Sequence, residues 1–461
     1  MCGIVAIKGN VHAAELAFLA LYALQHRGQE AAGICAVDDD GTVRIEKANG
    51  LIMEGFDDRR LSQLPGSVAL GHTRYSTAGG AGLVNAQPIT ARYHQGELAL
   101  VHNGNITNAQ QLRRTLVAEG ALFQGTVDSE LLVHLIARSR APNGDGQIRH
   151  ALSQLTGAFS VLITLGKTLY AARDPWGFRP LVLGRLGDGW VLASETCALD
   201  IMHADFVREL EPGELIKIED GKLRKLPALG RAKKVAPCIF ELIYFARPDS
   251  VVWGETVDRV RREFGRQLAR EHPVDADCVF SVPDSSNSAA LGYSQESGIP
   301  LELALIRNHY VGRTFIHPTQ VGRDFRVRVK YNPVREVIEG KRVVIVDDSL
   351  VRGTTSQGLV SLIREAGAKE VHFRVASPPV RFPCYYGIDM PTHEELIAAN
   401  LTTEEIREKL GVESLGYLSH EGMLASLRAR GRGPFCSACF SGDYPAPLVD
   451  LEEGLPVSTH C

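Results

Sequence analysis

Arg342-Val-Val-Ile-Val-Asp-Asp-Ser-Leu-Val-Arg-Gly-Thr-Thr355 is the stretch on which the second half of the chain turns. Its β-branched run, Val343 to Val346, reads as a strand covered on both faces, the pattern of a parallel sheet. Asp347 and Asp348 follow where that strand should end. A short loop comes next, with Gly353 among the hydroxyls of Ser349, Thr354, Thr355 and Ser356. Leu359, Val360, Leu362 and Ile363 then recur at helical spacing, up to a stop at Gly367. Ligands of open α/β sheets sit at the carboxyl ends of the strands, and backbone N–H groups opening a helix attract phosphate. Acids in front of such a loop suit ribose hydroxyls or Mg2+, so the stretch is expected to cradle a sugar phosphate. A bare Asp-Asp pair is more often a solvated turn, and it is the whole string that argues against that reading here.

The 461 residues allow two or three domains, and 44% apolar with 23% charged residues is ordinary globular composition. A net charge of −4 leaves no electrostatic footprint for nucleic acid or an anionic membrane. No apolar run approaches the roughly 20 residues that span a bilayer. Met-Cys-Gly-Ile-Val-Ala-Ile lacks the basic start and long apolar core of a signal peptide, so a cytoplasmic location is expected. In that setting nine cysteines argue for chemistry or metal rather than disulfides.

Cys2 stands directly behind Met1. Removal of Met1 would leave a thiol and a free α-amine on one residue. An α-amine of pKa about 7.7–8.0 can accept a thiol proton near neutrality, so a terminal nucleophile can carry its own base. Taken singly, a second-position Cys is a small apolar residue starting a strand. Further along, Ala13 to Gln25 reads as a helix, and helices are also expected at Ala109 to Glu119 and from Val127-Asp-Ser-Glu130 onward. Strand-like runs are Ser67 to Thr77, Leu98 to Ile106, Ala158 to Leu165, Leu169 to Ala172, Pro180 to Gly184 and Val191 to Ser194. Such alternation suggests two stacked sheets covered by helices.

Cys2-Gly3-Ile4, Gln25 to Gly28, His72 to Thr77, His102 to Asn105 and Asp128 together resemble the class II glutamine amidotransferases over residues 2 to about 230. The resemblance implies an N-terminal-nucleophile (Ntn) αββα glutaminase domain in which Cys2 attacks the glutamine amide. Asn103 and Gly104 would stabilise the oxyanion, Arg74 would hold the substrate carboxylate and Asp128 its α-ammonium. No catalytic role is assigned to His72 or His102, and Arg173-Asp-Pro-Trp-Gly-Phe-Arg-Pro180 is given a structural turn role. Some relatives carry a propeptide; only Met1 precedes Cys2 here, so maturation is expected to need no self-cleavage.

The basic, Pro-punctuated stretch Lys222 to Pro237 is read as a linker, which divides the chain into residues 2–231 and 232–461. The opening string is similar to the phosphoribosyl-pyrophosphate (PRPP) motif of type I phosphoribosyltransferases, which implies an α/β domain of that kind. Asp347 and Asp348 would meet the ribose hydroxyls, Val351, Arg352, Gly353, Thr354 and Thr355 would wrap the 5′-phosphate, and Ser349 would join them. A second strand-loop-helix unit, Cys278 to Gly292, suits the pyrophosphate, and Ser285 would share Mg2+ with Asp347 and Asp348. The basic segment Arg323 to Lys330, with Arg313 before it, is expected to close over the pyrophosphate through Arg313, Arg328 and Lys330.

By spacing alone, Cys436-Ser-Ala-Cys439 with two more thiolates is compatible with zinc or an Fe–S cluster, or with unrelated buried thiols. The contexts of Cys238, Cys384, Cys436 and Cys439 resemble the cluster-bearing branch of the amidophosphoribosyltransferases, which implies a structural [4Fe–4S] cluster on these residues. The combined resemblance implies glutamine and PRPP as substrates, phosphoribosylamine as product, purine nucleotides as feedback inhibitors and a homotetramer. Glucosamine-phosphate synthase and asparagine synthetase would share only the first half. A regulator with a PRPP-sensing cradle would not need the terminal Cys and its amide pocket.

Overall fold

The computed structural model of the protein describes residues 1–75, 82–309, 327–427 and 434–455. It opens on β1 (Gly3–Lys8), every residue of which is buried. Ile4 and Ala6 enter one core and Val5 and Ile7 another, so a strand covered on both sides has no polar face to show. There follow β2 (Ala31–Val37), β3 (Val43–Asn49), β4 (Val68–Arg74), β5 (Ile89–Tyr93), β6 (Gly96–Ile106), β7 (Gly157–Leu165) and β8 (Thr168–Arg173). Next come β9 (Val182–Leu186), β10 (Gly189–Ala193), β11 (Asp205–Glu209), β12 (Leu215–Glu219) and β13 (Lys222–Lys225).

These strands form a seven-stranded sheet, β11-β9-β10-β1-β4-β2-β3, and a six-stranded sheet, β13-β12-β8-β7-β6-β5. Ile4, Ala6, Leu70, Val101, Leu162 and Ile216 fill the layer between them. The Ala13–Ala23 helix covers the first sheet through Ala17 and Leu21, and the Glu130–Arg138 and Gly144–Leu152 helices cover the second through Leu132, Ile136 and Ile148. This is the αββα sandwich expected of an N-terminal-nucleophile domain.

Beyond β13, residues 226–237 carry no helix or strand. The expected linker therefore starts later than Lys222: Ile218 pairs with Leu223, whose side chain reaches the inter-sheet core and draws the basic segment into the sheet. The second half adds β14 (Val251–Val252), β15 (Glu255–Thr256), β16 (Cys278–Ser281), β17 (Leu305–Arg307) and β18 (Tyr331–Pro333). It ends with β19 (Arg342–Asp347), β20 (Glu370–Val375) and β21 (Ser414–Tyr417). β16-β19-β20-β21 is a parallel four-stranded sheet. Along β19, Val343 and Ile345 enter the core on one face while Val344 and Val346 enter the core on the other. That two-sided burial explains the unbroken β-branched run.

The Thr354–Glu365 helix follows β19 and is capped by Ala366, one residue short of Gly367. Several elements are not foreseen by the sequence reading, two of them at prominent places in the fold. β2 and β3 form a hairpin at the sheet edge, and the Val257–Glu271 helix buries Val257, Val260, Phe264 and Leu268 at helical spacing. Among the described residues no helix is long and apolar enough to cross a membrane.

The two halves are in contact, with Ala158 and Phe178 packed in one cluster with Tyr386 and Cys436. The carboxylate of Asp450 accepts the N–H groups of Gln110 and Gln111 at 2.8 and 3.0 Å, capping the Ala109–Ala118 helix where Asn108 supplies no side-chain cap.

Candidate active sites

Gly3 pairs with Thr73 across β1 and β4, so the next step of the ladder sets Cys2 beside Arg74. Gly28 leaves no room for a side chain there: a Cβ would lie 2.5 Å from the Arg74 carbonyl carbon. From the second sheet, Asn103 Oδ1 accepts the Cys2 N–H at 3.1 Å. That bond fixes the orientation of the amide, and it leaves the buried Asn103 Nδ2 without a hydrogen-bond partner among the described residues. A buried orphan donor beside a thiol is rare in a purely structural setting and is what a developing oxyanion needs. Gly104 follows on β6 in a place only glycine fits, since a Cβ would lie 2.0 Å from the Ala158 carbonyl oxygen.

Asp128 completes the group. Its Oδ2 accepts the Ile106 N–H at 3.0 Å and its Oδ1 accepts Ser129 Oγ–H at 3.2 Å, 3.6 Å from His102 Nδ1. Burial alone would raise this carboxyl, but His102 and these bonds outweigh it and hold Asp128 below its ordinary value. Asp128 is therefore held in its charged form. His72 is the reverse case: burial, helped by Arg74, drives it down to about 3, so it stays neutral. Arg74 itself is buried. The structure thus brings Cys2, Arg74, Asn103, Gly104 and Asp128 to one place, while Ser76 and Thr77 of the matching stretch lie outside the described residues.

The second site lies at the carboxyl end of β19. Ser285 Oγ donates to Asp348 Oδ2 at 2.5 Å and Ser349 Oγ to Asp348 Oδ1 at 2.6 Å. Asp347 Oδ1 accepts the Asp348 N–H at 2.9 Å and Ser286 Oγ–H at 3.2 Å. Ser286 is missed by the sequence reading, although it stands beside Ser285 in the same hydroxyl-rich turn. Burial, with mutual repulsion at Asp347, raises both carboxyls. Such a pair is destabilised when ionised and is relieved by a bound cation, so the acids and their hydroxyls fit Mg2+. Gly353 caps the following helix in the left-handed conformation, φ 78°, and Thr354 and Thr355 open it. Val351 lies just before, its carbonyl accepting the Ile397 N–H at 2.9 Å, and Arg352 lies 3.3 Å from Glu395 at the surface.

Of the expected lid, Arg313 lies outside the described residues. Lys330 is near enough to Asp347 to offset a small part of the rise that burial and Asp348 impose on its carboxyl. Arg328 turns elsewhere and pairs at 2.5 Å with Glu365 at the far end of the Thr354–Glu365 helix. At about 1.5 Å per residue that end is some 16 Å along the helix from its start at Thr354. A partner on the helix surface claims the guanidinium.

Cys238 and Cys436 meet in an isolated parallel bridge, Cys439 lies in the short helix that follows, and Cys384 Sγ accepts the Tyr386 N–H at 3.4 Å. Burial pushes the Cys238 thiol up to about 11 and raises Cys436 and Cys439 strongly, and each is raised further by the neighbouring thiols. Among the described residues no three His, Cys, Asp or Glu side chains are set to hold a single ion. Tetrahedral zinc would need thiolates about 3.8 Å apart, from Zn–S near 2.3 Å. A larger cluster needs a wider set, and three buried thiols with the half-buried Cys384, whose sulfur accepts an N–H, fit that chemistry.

A family model described as a glutamine amidotransferase domain matches residues 72–200. The amidophosphoribosyltransferase of Bacillus subtilis is 48% identical over 451 residues, covering 97% of this chain and 94% of that one. That of Methanocaldococcus jannaschii is 46% identical over 468 residues, with 97% and 98% covered. The solved structure of glutamine PRPP amidotransferase from B. subtilis, complexed with ADP and GMP, superposes with a TM-score of 0.92 at 47% identity, covering 97% of this chain and 98% of that chain. With both halves matched over nearly their whole length, the chain belongs to the amidophosphoribosyltransferase family.

Proposed function

We infer that the protein hydrolyses glutamine at Cys2 and transfers the ammonia to C1 of PRPP, giving 5-phosphoribosylamine, glutamate and pyrophosphate, the first committed step of de novo purine biosynthesis. The observation that carries this reading is the pairing, in one chain, of a thiol beside an orphan amide donor with a hydroxyl-lined acid pair at a parallel strand end.

Once Met1 is removed, the Cys2 α-amine takes the thiol proton and the sulfur attacks the glutamine side-chain carbonyl carbon. The tetrahedral oxyanion meets Asn103 Nδ2–H and the Gly104 N–H, which are held before it forms. The C–N bond breaks, the α-ammonium returns its proton to the departing ammonia, and water hydrolyses the Cys2 thioester. Arg74 and Asp128 complement the α-carboxylate and α-ammonium of glutamine. In the second site Asp347, Asp348 and the Ser285 hydroxyl would hold Mg2+, which supplies neutralising charge for the pyrophosphate. Asp347 and Asp348 would also orient the ribose, and the loop Ser349 to Thr355 would hold the 5′-phosphate. Pyrophosphate is already a good leaving group, so positioning and electrostatics suffice. Lys330, with Arg313, would serve the closed state.

Asn103→Ala is expected to lower kcat for glutamine hydrolysis about 10²–10³-fold with KM little changed, because the lost donor acts only on the oxyanion. A steady-state glutaminase assay checks this. We also propose that Cys238, Cys384, Cys436 and Cys439 hold a structural [4Fe–4S] cluster. Protein purified without oxygen should contain about four iron and four sulfide per chain, and Cys436→Ser should lose both together with thermal stability. Iron analysis that finds none in fresh wild-type protein would end that part of the reading. A homotetramer, a cytoplasmic location and purine-nucleotide inhibition belong to the same proposal, the last supported by the ADP and GMP in the B. subtilis structure.

A further inference from the structure

Gln87 is buried, takes no part in the mechanism above, and spends both ends of its side-chain amide beside the glutamine site. β5 pairs with β6 only as far as Ile89 opposite Leu100, so the His102 N–H, two residues further along β6, lies past the end of that ladder. Gln87 Oε1 accepts it at 2.6 Å and stands in for the strand that has ended. Since the oxygen must face that N–H, the amide turns Nε2 the other way, where it donates to Ser129 Oγ at 3.1 Å. Ser129 is buried as well, and a hydroxyl that accepts from Gln87 has its own proton to give to Asp128 Oδ1 at 3.2 Å. His102 Nδ1 completes the group, 2.9 Å from the same Ser129 Oγ.

The segment that carries Gln87 is itself pinned. Lys47 Nζ donates to the Ala86 carbonyl at 2.6 Å, and Gly33 lies so close that a Cβ there would come 2.2 Å from the Gln87 carbonyl oxygen. Two residues earlier, the buried Asn85 grips the Asp128 loop from its other end. Its Oδ1 accepts the Thr126 N–H at 3.0 Å and its Nδ2 donates to Thr126 Oγ1 at 3.0 Å. Asn85 and Gln87 thus hold Thr126 and Ser129, on either side of Asp128. The strand that Gln87 bonds is the one that carries Asn103 and Gly104, directly after His102. Breaking one bond of such a buried set leaves its partner unsatisfied, so the members hold their places together.

We propose that Gln87 is a positioning residue for substrate recognition: it ties Asp128, through Ser129, to the part of β6 that bears Asn103 and Gly104, and so fixes the spacing between the α-ammonium contact and the amide being cleaved. The property it sets is the preference for substrates that carry an α-amine. This rests on the glutaminase reading above, in which Asp128 meets that ammonium.

The test compares kcat/KM for glutamate release from L-glutamine with kcat/KM for glutarate release from glutaramate, the same amide without the α-amine. The ratio of the two is the preference. Gln87→Met, similar in length but without the amide, is expected to lower the preference at least about tenfold and to lower kcat for glutamine about tenfold, since Asp128 and the oxyanion strand both lose their tie. Ser129→Ala keeps the bond from Gln87 to His102 and cuts only the tie to Asp128. It should raise KM for glutamine about fivefold and lower the preference about as much, with kcat changed less than KM. The double variant should lose no more preference than Gln87→Met alone, because the two residues act in one chain of bonds.

Unchanged preference in folded Gln87→Met, or in Ser129→Ala if Gln87→Met does not fold, overturns the proposal. So does an equal loss with glutamine and glutaramate, which a general structural defect would give. Losses of preference that add in the double variant overturn it too. A wild-type protein that shows no preference between the two substrates overturns the ammonium contact of Asp128, and one that cleaves neither overturns the glutaminase reading itself. Both of those results appear before any substitution is made, and so are distinct from the rest.

Discussion

Cys2→Ala is expected to lower glutamate release from glutamine by at least about 10⁴-fold, the scale on which removing a nucleophile acts. The same variant should retain pyrophosphate release when ammonium chloride replaces glutamine. The separation follows from the architecture. Cys2 sits at the start of β1 between the two antiparallel sheets, whereas Asp347 and Asp348 end β19 in a separate parallel sheet. Alanine in place of a buried small thiol leaves the strand and its pairing with β4 and β10 intact. Parallel assays with the two nitrogen sources on one preparation decide the matter. Loss of both activities would mean that the halves cannot work apart, and persistence of glutaminase would remove Cys2 from the mechanism.

Asp347→Asn should give the opposite pattern, with a stability signature of its own. Pyrophosphate release should fall about 10²–10³-fold with either nitrogen source, because a charge aimed at the ribose and its cation is gone. Glutamate release without PRPP should remain. Without Mg2+, the variant should melt no lower than wild type at neutral pH. Asp347 is raised well above its ordinary value by burial and by Asp348, so its ionised form is disfavoured in the folded protein. An amide accepts the same bonds from the Asp348 N–H and from Ser286 Oγ without carrying that penalty. The sign with pH follows. A raised folded pKa means that wild-type stability declines as pH rises from the unfolded value through the folded one. The advantage of Asp347→Asn should therefore be absent below about pH 4, grow as pH rises, and level off above the raised value. Melting temperatures across that range test it. A variant that melts lower than wild type at neutral pH would show that the acids are relieved by something other than a cation.

Much of this was legible because the chemistry is local in sequence. Val343 to Thr355 holds strand, acids, loop and helix start in one continuous run, and the backbone geometry of each step is set by near neighbours. The expected αββα and parallel α/β units follow from periodicities that the observed cores explain, as in Val5 and Ile7 against Ile4 and Ala6. The β2–β3 hairpin escaped because β2, buried throughout, shows no alternation, while β3 is half-exposed and charged. Arg328 pairs with Glu365, a partner that its own sequence context does not announce.

By itself, then, the amino-acid sequence pointed to the αββα and α/β halves, the family and the candidate site residues, since each rests on short motifs that can be read in chain order. Tertiary structure decided the rest. Only the Cys2 N–H, reaching Asn103 across 101 positions, orients that amide so that Nδ2 is left as the donor. Only packing brings Arg27 against Glu241, 214 positions away, and Asp450 against the helix at Gln110. The physical reason is that a buried charge or orphan N–H accepts any partner of the right sign that folding delivers. Which one arrives depends on how distant segments pack, and no local pattern encodes that.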